Sequence, residues 1–431
     1  MYDVVVIGLG GVGSFALRSL AKELKGTGQK ILGLERYQLG HHKGSSHGET
    51  RIYRRAYFED ERYIPWIEHS IREFQTLEQE SGISILHECG NIVLQDKPQD
   101  DDNNKDAQQQ ERNYLQLAQE TAQRQNIQVE FLDQKALKSR FPQFRYHEDK
   151  ELIGLYEPNG GFVRSEVAMA AALAQAQAVD EVTIWENTVV QSIQEMIPGT
   201  TDSHVEVKVR RQTKSVDTED LTVTSKIVLI AAGAWASQLI PSWSEHLTIT
   251  RQVQGWVDVA TSADPLEYSP ETFPTWIRVT SKYPLPFFGV PVSGENQEGK
   301  HYTKVGIHND RIHQIDDPTH NPTQVSDEER EEYLKAVEVV LDRRAWHGQK
   351  DLSPDQVRVI PCMYTMTPDE NFLMGVPHEF QSVYAIAGLS GHGFKMAPAL
   401  GQILADFCLV GEKEVNSKWK PHEFCSPSRF D

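Results

Sequence analysis

The first residues combine an apolar run with a glycine turn, and an amphipathic segment follows directly. Residues 4–13 read VVVIGLGGVG, in which four apolar residues predict a buried strand that runs into G-x-G-x-x-G. Apolar residues at helical spacing over 14–24 predict a helix, and a second apolar run at 31–34 ends in Glu35. This order of strand, glycine turn, helix, strand and acid is typical of a dinucleotide-binding unit.

Each part of this unit has a physical role in holding a dinucleotide. Gly8 permits the tight turn, Gly10 lets the backbone approach a pyrophosphate, and Gly13 lets the helix pack closely on the sheet. The helix N-terminus offers free N–H groups to the phosphates. Glu35, 22 residues after Gly13, can accept hydrogen bonds from a ribose but would repel the extra phosphate of NADP. The motif leaves NAD and FAD open as ligands.

The remaining pattern changes character twice along the chain. Segment 225–235 (SKIVLIAAGAW) predicts a buried parallel-type strand that ends in small residues. From about residue 247 the strands become longer and more aromatic, which predicts a mainly antiparallel sheet. The chain then returns to α/β character with a strand at 383–387 and a helix at about 398–410. Other helices are expected at about 63–78, 112–123, 166–178 with Ser165 as N-cap, and 326–343.

We therefore expect the α/β class (α+β overall), with a Rossmann-like domain and a second domain built on a mainly antiparallel sheet. The expected dinucleotide-binding domain comprises residues 1–85, 152–238 and 368–431. The expected substrate domain comprises residues 86–151 and 239–367. Within the latter, residues 95–110 are rich in Asp, Asn and Gln, and we expect an exposed loop or a frayed helix start there.

Composition and charge exclude several classes of function. The formal net charge of −19 argues against nucleic acid or an anionic membrane as the main partner. No apolar run approaches membrane-spanning length. The first strand begins at residue 2, which leaves no room for a signal peptide, and the four cysteines show neither C-x-x-C nor zinc spacing. These features predict a cytoplasmic protein with reduced thiols and no metal site, and we expect a monomer.

Three further segments carry a family resemblance. They are 44–54 (GSSHGETRIYR), 361–370 (PCMYTMTPDE) and 388–395 (GLSGHGFK), and 161–166 (GFVRSE) and 428–430 (SRF) support them. In this order they resemble the monomeric sarcosine oxidase and N-methyltryptophan oxidase family of flavoenzymes. The resemblance spans essentially the whole chain. It implies covalently bound FAD and the oxidation of secondary or N-methylated amino acids, with O2 reduced to H2O2.

The resemblance also assigns roles to single residues. Cys362 would form a thioether with the flavin, at the start of an expected Thr-Pro-Asp turn. Arg54 and Lys395 would bind the substrate carboxylate, and Arg51 would cover one face of the flavin. The residues alone leave other interpretations open for the arginines, namely ion pairs with Glu49, Glu59 or Asp60, or solvated surface charge.

Lys304 and His308 lie four residues apart on a predicted strand and so on one face of it. The resemblance implies that Lys304 activates O2, because a fixed cation stabilises the negative charge that develops on O2. It places His308 at the substrate site. Further contacts to the cofactor are expected from Arg36, Ser45, Thr50, Gly391, Gly393 and Lys395.

One segment departs from the family pattern. Family members that act on small substrates carry Tyr in a Tyr-Gly-Phe-Pro segment beside the flavin, whereas residues 287–291 read FFGVP here. Phe288 keeps the aromatic wall without the hydroxyl. The following stretch, 294–300, is also longer and more polar than expected. Both differences argue against sarcosine and allow a bulkier or more apolar N-substituted amino acid with a free carboxylate.

The implied reaction is hydride transfer from the free-base amine to FAD, followed by imine hydrolysis and reoxidation by O2. A first alternative is an FAD-dependent amino-acid dehydrogenase that passes electrons to an acceptor other than O2. A second is a flavin-binding protein without catalytic turnover. An NAD-dependent dehydrogenase is a weaker alternative, because only the opening motif supports it.

Overall fold

The structure is a computed structural model, and it describes residues 1–98, 113–200, 202–212, 217–259, 265–294, 300–308, 313–346 and 349–430. Most of the polar segments expected at 95–110 and 294–300, and the expected helix start at Arg112, lie outside these residues. The strands of the described ranges are β1 (Tyr2–Ile7), β2 (Ile31–Leu34), β3 (Thr50–Tyr53), β4 (Leu86–Glu88), β5 (Asn91–Asp96), β6 (Glu130–Leu132), β7 (Leu152–Glu157), β8 (Gly161–Arg164), β9 (Val182–Trp185), β10 (Thr188–Met196), β11 (His204–Gln212), β12 (Thr218–Ile230), β13 (Thr248–Asp258), β14 (Thr275–Val279), β15 (Phe287–Val290), β16 (Tyr302–Ile307), β17 (Val357–Met366), β18 (Leu373–Gly375) and β19 (Val383–Ala387).

The helices show the end signals that their sequences carry. Gly82 ends the second helix with φ +69°, a left-handed conformation that glycine adopts freely. Ser326 and Glu329 form a reciprocal capping box at the start of the seventh. The α-helices of the described ranges are α1 (Gly11–Leu24), α2 (Ile64–Ser81), α3 (Tyr114–Arg124), α4 (Gln134–Arg140), α5 (Ser165–Gln177), α6 (Ala236–Leu239), α7 (Asp327–Val340), α8 (Ala397–Leu409) and α9 (Glu412–Trp419).

The first sheet contains the dinucleotide-binding unit predicted from the sequence. Its described strands run in the order β10-β11-β12-β1-β2-β9, with β19 paired to β12 and β18 at the edge. The strands β9, β2, β1, β12 and β19 are all parallel. Val4 and Val6 face α1 and α8 on one side, while Val5 and Ile7 pack against Trp243 on the other. Because both faces are covered, β1 is apolar at successive positions.

The second sheet is mainly antiparallel, as the aromatic strand pattern predicted. Its described strands run in the order β17-β13-β16-β15-β14-β5-β7-β6, and within it β14 and β5 form a parallel pair. Tyr333 and Val337 of α7 pack on one face together with Trp276 and Phe287. A smaller antiparallel sheet, β3-β8-β4, follows the loop after β2. The predicted fold class, a Rossmann-like unit joined to a mainly antiparallel sheet, is confirmed.

Several local expectations were wrong. The strand predicted to start at residue 225 begins earlier, at Thr218: the first half of β12 pairs with β11, and its second half lies between β1 and β19. Arg164, not Ser165, is the N-cap of α5, because β8 leads straight into the helix. Cys362 lies inside β17 rather than at a turn. In the described part of the chain, no helix has the length and apolar character that crossing a bilayer requires.

Candidate functional site

A cavity of about 800 Å³ joins the glycine turn after β1 to residues of the second sheet. Most residues that the sequence assigned to cofactor or substrate line it, namely Gly8, Gly10, Glu35, Arg36, Ser45, Arg51, Arg54, Phe288, His308, Cys362, Gly391, Gly393 and Lys395. Among the described residues of that set, Gly13, Thr50 and Lys304 are buried and contribute no surface to the cavity. The chain thus brings together residues from its beginning, middle and end.

The glycine turn at the end of β1 has no space for side chains. Gly8 has φ +85°, and a Cβ there would lie 2.6 Å from the Ala231 carbonyl oxygen. A Cβ on Gly13 would lie 1.8 Å from the carbonyl oxygen of Gly8, so α1 could not pack where it does. The N–H of Gly11 donates to Ser46 Oγ at 3.0 Å. The start of α1 therefore presents bare backbone to the cavity, which suits an anionic group.

Glu35 is held rigidly at the end of β2. One carboxylate oxygen accepts from the N–H of Leu9 at 2.9 Å, and the other accepts from the N–H of Tyr37 at 3.0 Å. His41 Nε2 lies 3.2 Å from the second oxygen. Burial would raise the pKa of Glu35, but the hydrogen bonds from His41 and the two backbone groups outweigh it and lower the pKa. An ionised acceptor is thus fixed where a ribose hydroxyl is expected.

Arg36 lies at the same end of the cavity. Its guanidinium is 5.7 Å from the ring centroid of Trp235 and 5.9 Å from that of Tyr37. It donates to Thr319 Oγ1 at 3.2 Å. Trp235 Nε1 donates to the same hydroxyl at 3.3 Å. The segment that follows the second sheet's β16 therefore contacts the ribose end of the cavity through Thr319.

Two basic side chains hold the loop between β2 and β3. Arg51 donates to the carbonyl oxygens of Ser45, His47 and Thr50, at 2.7, 2.6 and 2.8 Å. Lys304 Nζ donates to the carbonyls of Gly48 and Thr50, at 2.7 and 3.1 Å. Burial lowers the pKa of Lys304 well below its ordinary value, and the charge of Arg51 acts in the same direction.

Arg54 forms a buried ion pair with Glu59, with Nη2 and Oε2 2.5 Å apart. It also donates to the Ala56 carbonyl at 2.7 Å. Burial would raise the pKa of Glu59, but Arg54 and then Lys395 outweigh it and lower the pKa to about 2. The ion pair that the sequence left open as an alternative is therefore present, and Arg54 faces the cavity at the same time.

Lys395 points into the cavity from the loop before α8. Its Nζ donates to the His392 carbonyl at 2.8 Å and to the Tyr57 hydroxyl at 3.3 Å. Burial lowers its pKa to about 7, although Glu59 acts in the opposite direction. Lys395 and Arg54 both pack on Tyr57, with the charged groups 4.9 and 4.6 Å from its ring centroid. The two cations that the resemblance assigned to a carboxylate thus flank one aromatic ring.

A neutral polar pair, His308 and Tyr364, lines the same cavity. His308 Nδ1 is 3.3 Å from the Tyr364 hydroxyl, and burial lowers the pKa of His308 to about 4. Glycines make room for the adjacent rings: a Cβ on Gly306 would lie 2.2 Å from the Phe288 ring, and one on Gly391 2.4 Å from the Tyr364 ring. Phe288 and Tyr364 can therefore occupy these positions only because Gly306 and Gly391 have no side chains.

Cys362 reaches the cavity from β17. The residue is 2% exposed and pairs in register with Gln252 of β13. Its thiol makes only a weak contact, at 3.8 Å, with the Met363 carbonyl. Among the described residues the thiol of Cys362 has no strong partner. It faces the same cavity that the glycine turn lines.

Comparison with known proteins decides the family. The family model described as FAD dependent oxidoreductase matches residues 3–407. The chain belongs to this family. A monomeric sarcosine oxidase of Streptomyces avermitilis is 30% identical over 422 residues, which cover 95% of this chain and 94% of that protein. An N-methyl-L-tryptophan oxidase of Yersinia pestis is 29% identical, with 94% of each chain covered. The resemblance found in the sequence is therefore confirmed.

A solved structure supports the fold of this FAD-dependent oxidoreductase. NikD, described as an unusual amino acid oxidase essential for nikkomycin biosynthesis, superimposes with a TM-score of 0.71 at 19% sequence identity. The match covers 95% of this chain and 94% of that chain. At this identity the likeness concerns the fold alone. The family model and the relatives above place the chain among FAD-dependent amino-acid oxidases and related enzymes.

Sequence reasoning missed several residues that shape the site. Tyr57 supports both cavity cations, and His392 Nδ1 lies 2.5 Å from its hydroxyl. Ser46 caps the glycine turn and His41 contacts Glu35. The signal for Tyr57 was its place three residues after Arg54, in a segment already singled out. The signal for His41 was weaker, because a histidine-rich loop is common on protein surfaces.

Proposed function

We propose that the protein is a flavoprotein oxidase of N-methylated or secondary amino acids that carries covalent FAD on Cys362 and reduces O2 to H2O2. One observation carries the proposal: a single cavity joins the glycine turn and Glu35 to a free thiol and two buried cations. The glycine turn and Glu35 suit a dinucleotide, whereas the thiol and the two basic side chains suit a flavin ring with a substrate carboxylate beside it.

The residues present fit FAD. The turn at Gly8 and Gly13 leaves backbone where a pyrophosphate must approach, and Glu35 is an ionised acceptor for the ribose. In our proposal Arg36, Ser45, Thr50, Gly391 and Gly393 complete the contacts, and Arg51 covers the flavin face. When bound, FAD supplies a two-electron acceptor for the C–H bond next to the substrate nitrogen.

The substrate carboxylate would bind between Arg54 and Lys395. An arginine side chain binds a carboxylate through two parallel hydrogen bonds, and Lys395 adds a second charge. Glu59 now occupies one face of Arg54, so the incoming carboxylate must share or replace that contact. This anchoring fixes the orientation of the carbon that is oxidised, and much of the rate gain in such reactions comes from orientation.

His308 and Tyr364 would face the substrate nitrogen. With its pKa lowered to about 4, the imidazole of His308 is neutral at physiological pH and places no cation beside the amine. That favours the amine's uncharged form, whose lone pair is needed when the C–H bond breaks. Phe288 adds an aromatic wall without a hydroxyl on the same side.

Lys304 would stabilise the charge that develops on O2. Its two carbonyl partners favour the ammonium form, against the burial that lowers its pKa. The residue lies behind the backbone of Gly48 and Thr50 and does not line the cavity itself. In this proposal its effect is electrostatic and acts across the backbone of that loop.

The proposal includes a domain division and a cellular setting. Residues 1–85, 152–238 and 368–431 would hold FAD, and residues 86–151 and 239–367 would hold the substrate. The first sheet draws its described strands from the former set and the second sheet from the latter, apart from β7 in the second. We propose a monomer in a reducing cytoplasm; Cys89, Cys362, Cys408 and Cys425 form no disulfide with one another, as such a compartment requires.

An anaerobic substrate screen tests the proposal. Purified yellow protein is mixed without O2 with sarcosine, N-methyltryptophan, N-methylphenylalanine, pipecolate and proline, and bleaching of the flavin absorbance is recorded. We expect bleaching by at least one of them, and H2O2 in stoichiometric amount when air is admitted. Bleaching without O2 uptake would identify a dehydrogenase instead. Absence of bleaching by every compound would contradict an amine oxidase.

A further inference from the structure

The cavity has an apolar wall that none of the roles above uses. Phe58, Tyr114 and Leu117 all line the cavity. The Arg54 guanidinium lies 3.8 Å from the ring centroid of Phe58. Tyr114 packs edge-on against the same ring, with centroids 4.7 Å apart and planes at 66°. The wall therefore begins directly beside the proposed carboxylate anchor.

Leu117 extends this wall along α3. It lies three residues after Tyr114, so both side chains project from one face of the helix. Leu117 is 39% exposed although it is a large apolar residue. Exposed leucines are common singly, but this one lines the same cavity as the half-buried rings of Phe58 and Tyr114.

The wall is held in place by a packed core behind it. Leu115, Ala118 and Ala122 of α3 are buried against Val93 and Leu155 of the second sheet. This packing fixes the rotation of the helix, and its other face is turned to the cavity. The subsite is thus preformed, which reduces the ordering cost of binding.

A second apolar surface faces the same cavity from the sheet. Ile277 of β14 pairs in register with Phe288 of β15, and both line the cavity. Neither side chain carries a polar group. The cavity that Arg54 faces is therefore bordered by aromatic and branched apolar residues on α3, on the sheet and on the loop after β3.

We propose that Phe58, Tyr114 and Leu117 form the subsite for the side chain on the substrate's α-carbon, and that this side chain is bulky and apolar, such as an aryl or branched alkyl group. The proposal rests on the proposed function, because Arg54 must hold the carboxylate. A carboxylate on Arg54 brings the neighbouring α-carbon close to the Phe58 ring. Sarcosine has only hydrogen on that carbon and would leave the subsite unfilled.

The first test measures selectivity. We expect kcat/KM for N-methylphenylalanine to exceed that for sarcosine by about 100-fold, since one methylene alone is worth about 10-fold or more in a hydrophobic pocket. In Leu117→Ser this ratio should fall about 10-fold, through KM rather than kcat. Leu266→Ser is the matched control, because Leu266 is 65% exposed and not among the residues that line the cavity; the ratio should not change there.

The second test is independent of turnover. Binding of phenylacetate and of acetate to the FAD-loaded protein is measured by calorimetry, with thermal unfolding of each variant as the check on folding. We expect phenylacetate to bind at least 10-fold more tightly, and Leu117→Ser to reduce this preference. Equal binding of the two acids, or a preference unchanged in Leu117→Ser, would overturn the subsite. Failure of all amino acids to bleach the flavin, with the phenylacetate preference intact, would instead overturn the oxidase proposal alone.

Discussion

The charge of Lys395 should set the pH range in which the cavity binds carboxylates. Burial lowers the pKa of this lysine to about 7, so its ammonium is lost near neutral pH in the free enzyme. A bound carboxylate needs the ammonium as its partner. We therefore expect the affinity for phenylacetate to be constant below about pH 7 and to fall above it.

The size of the fall follows from proton linkage. Above the pKa, binding must be accompanied by uptake of one proton on Lys395, so affinity drops about tenfold for each pH unit, or about 1.4 kcal/mol. Between pH 7 and pH 9 the loss should approach about 100-fold. Phenylacetate carries no amine, so no proton on the ligand itself contributes in this range.

Glu59 offers a second way to test the pH dependence of phenylacetate binding. Its own pKa is lowered to about 2, so it is ionised throughout the range and favours the charged form of Lys395. Glu59→Gln removes that charge, and the break should move down by about one pH unit. The variant also removes the ion-pair partner of Arg54. Below the break its affinity for phenylacetate should therefore rise, since Arg54 no longer has to exchange one carboxylate for another.

The assay is a titration of the FAD-loaded protein with phenylacetate at pH values from about 5.5 to 9.5, followed by the flavin absorbance. Lys395→Met is the control, and its profile should be flat and weak across the range. A wild-type profile as flat as that of Lys395→Met would refute the role of Lys395. An upward shift of the break in Glu59→Gln would refute the electrostatic reasoning on Glu59.

Three other changes test separate parts of the site. Cys362→Ser should leave FAD in the supernatant after acid precipitation, whereas the wild-type pellet should stay yellow; colour in the wild-type supernatant would contradict the thioether. Lys304→Met should slow the O2-dependent half-reaction far more than the anaerobic one in stopped-flow measurements, and equal slowing would contradict its role. Gly13→Ala should prevent FAD incorporation, so that the purified protein carries little flavin, because its Cβ would lie 1.8 Å from the Gly8 carbonyl oxygen and overpacking costs about 1–3 kcal/mol or more; a normal flavin content would show that α1 can shift.

The parts of the fold that sequence could predict are those with a local signal. The strand, turn and helix at residues 2–24 follow from a continuous apolar run, glycines and helical spacing. Strand β17 was missed because Pro361 interrupts its pattern. The structure explains how that proline is tolerated: β17 lies at the edge of the second sheet, where a missing N–H costs little.

The site was predictable as a set of residues but not as a network. Lys304 and His308 lie on one face by the alternation of a strand, yet only His308 reaches the cavity, because the loop at 48–50 covers Lys304. The partners of Arg54 were likewise open in the sequence, where three acids lay within reach. Glu59 forms the pair because the chain turns after Ala56, whose carbonyl also accepts from Arg54. Such choices depend on contacts between distant segments, which no local pattern encodes.

The loop between β2 and β3 connects the two halves of the site through its carbonyl groups. Five hydrogen bonds from Arg51 and Lys304 converge on backbone oxygens of residues 45–50, and the Thr50 carbonyl accepts from both side chains. Lys304 belongs to the second sheet, whereas the loop also carries Ser46, which binds the start of α1. Lys304 of the second sheet therefore shapes the loop, and Ser46 of the same loop binds the glycine turn of the first sheet. Lys304→Met should consequently lower the flavin content of the purified protein, measured by its absorbance, in addition to its selective effect on reoxidation in the molecules that hold FAD, because the same carbonyl groups shape the loop that caps the glycine turn.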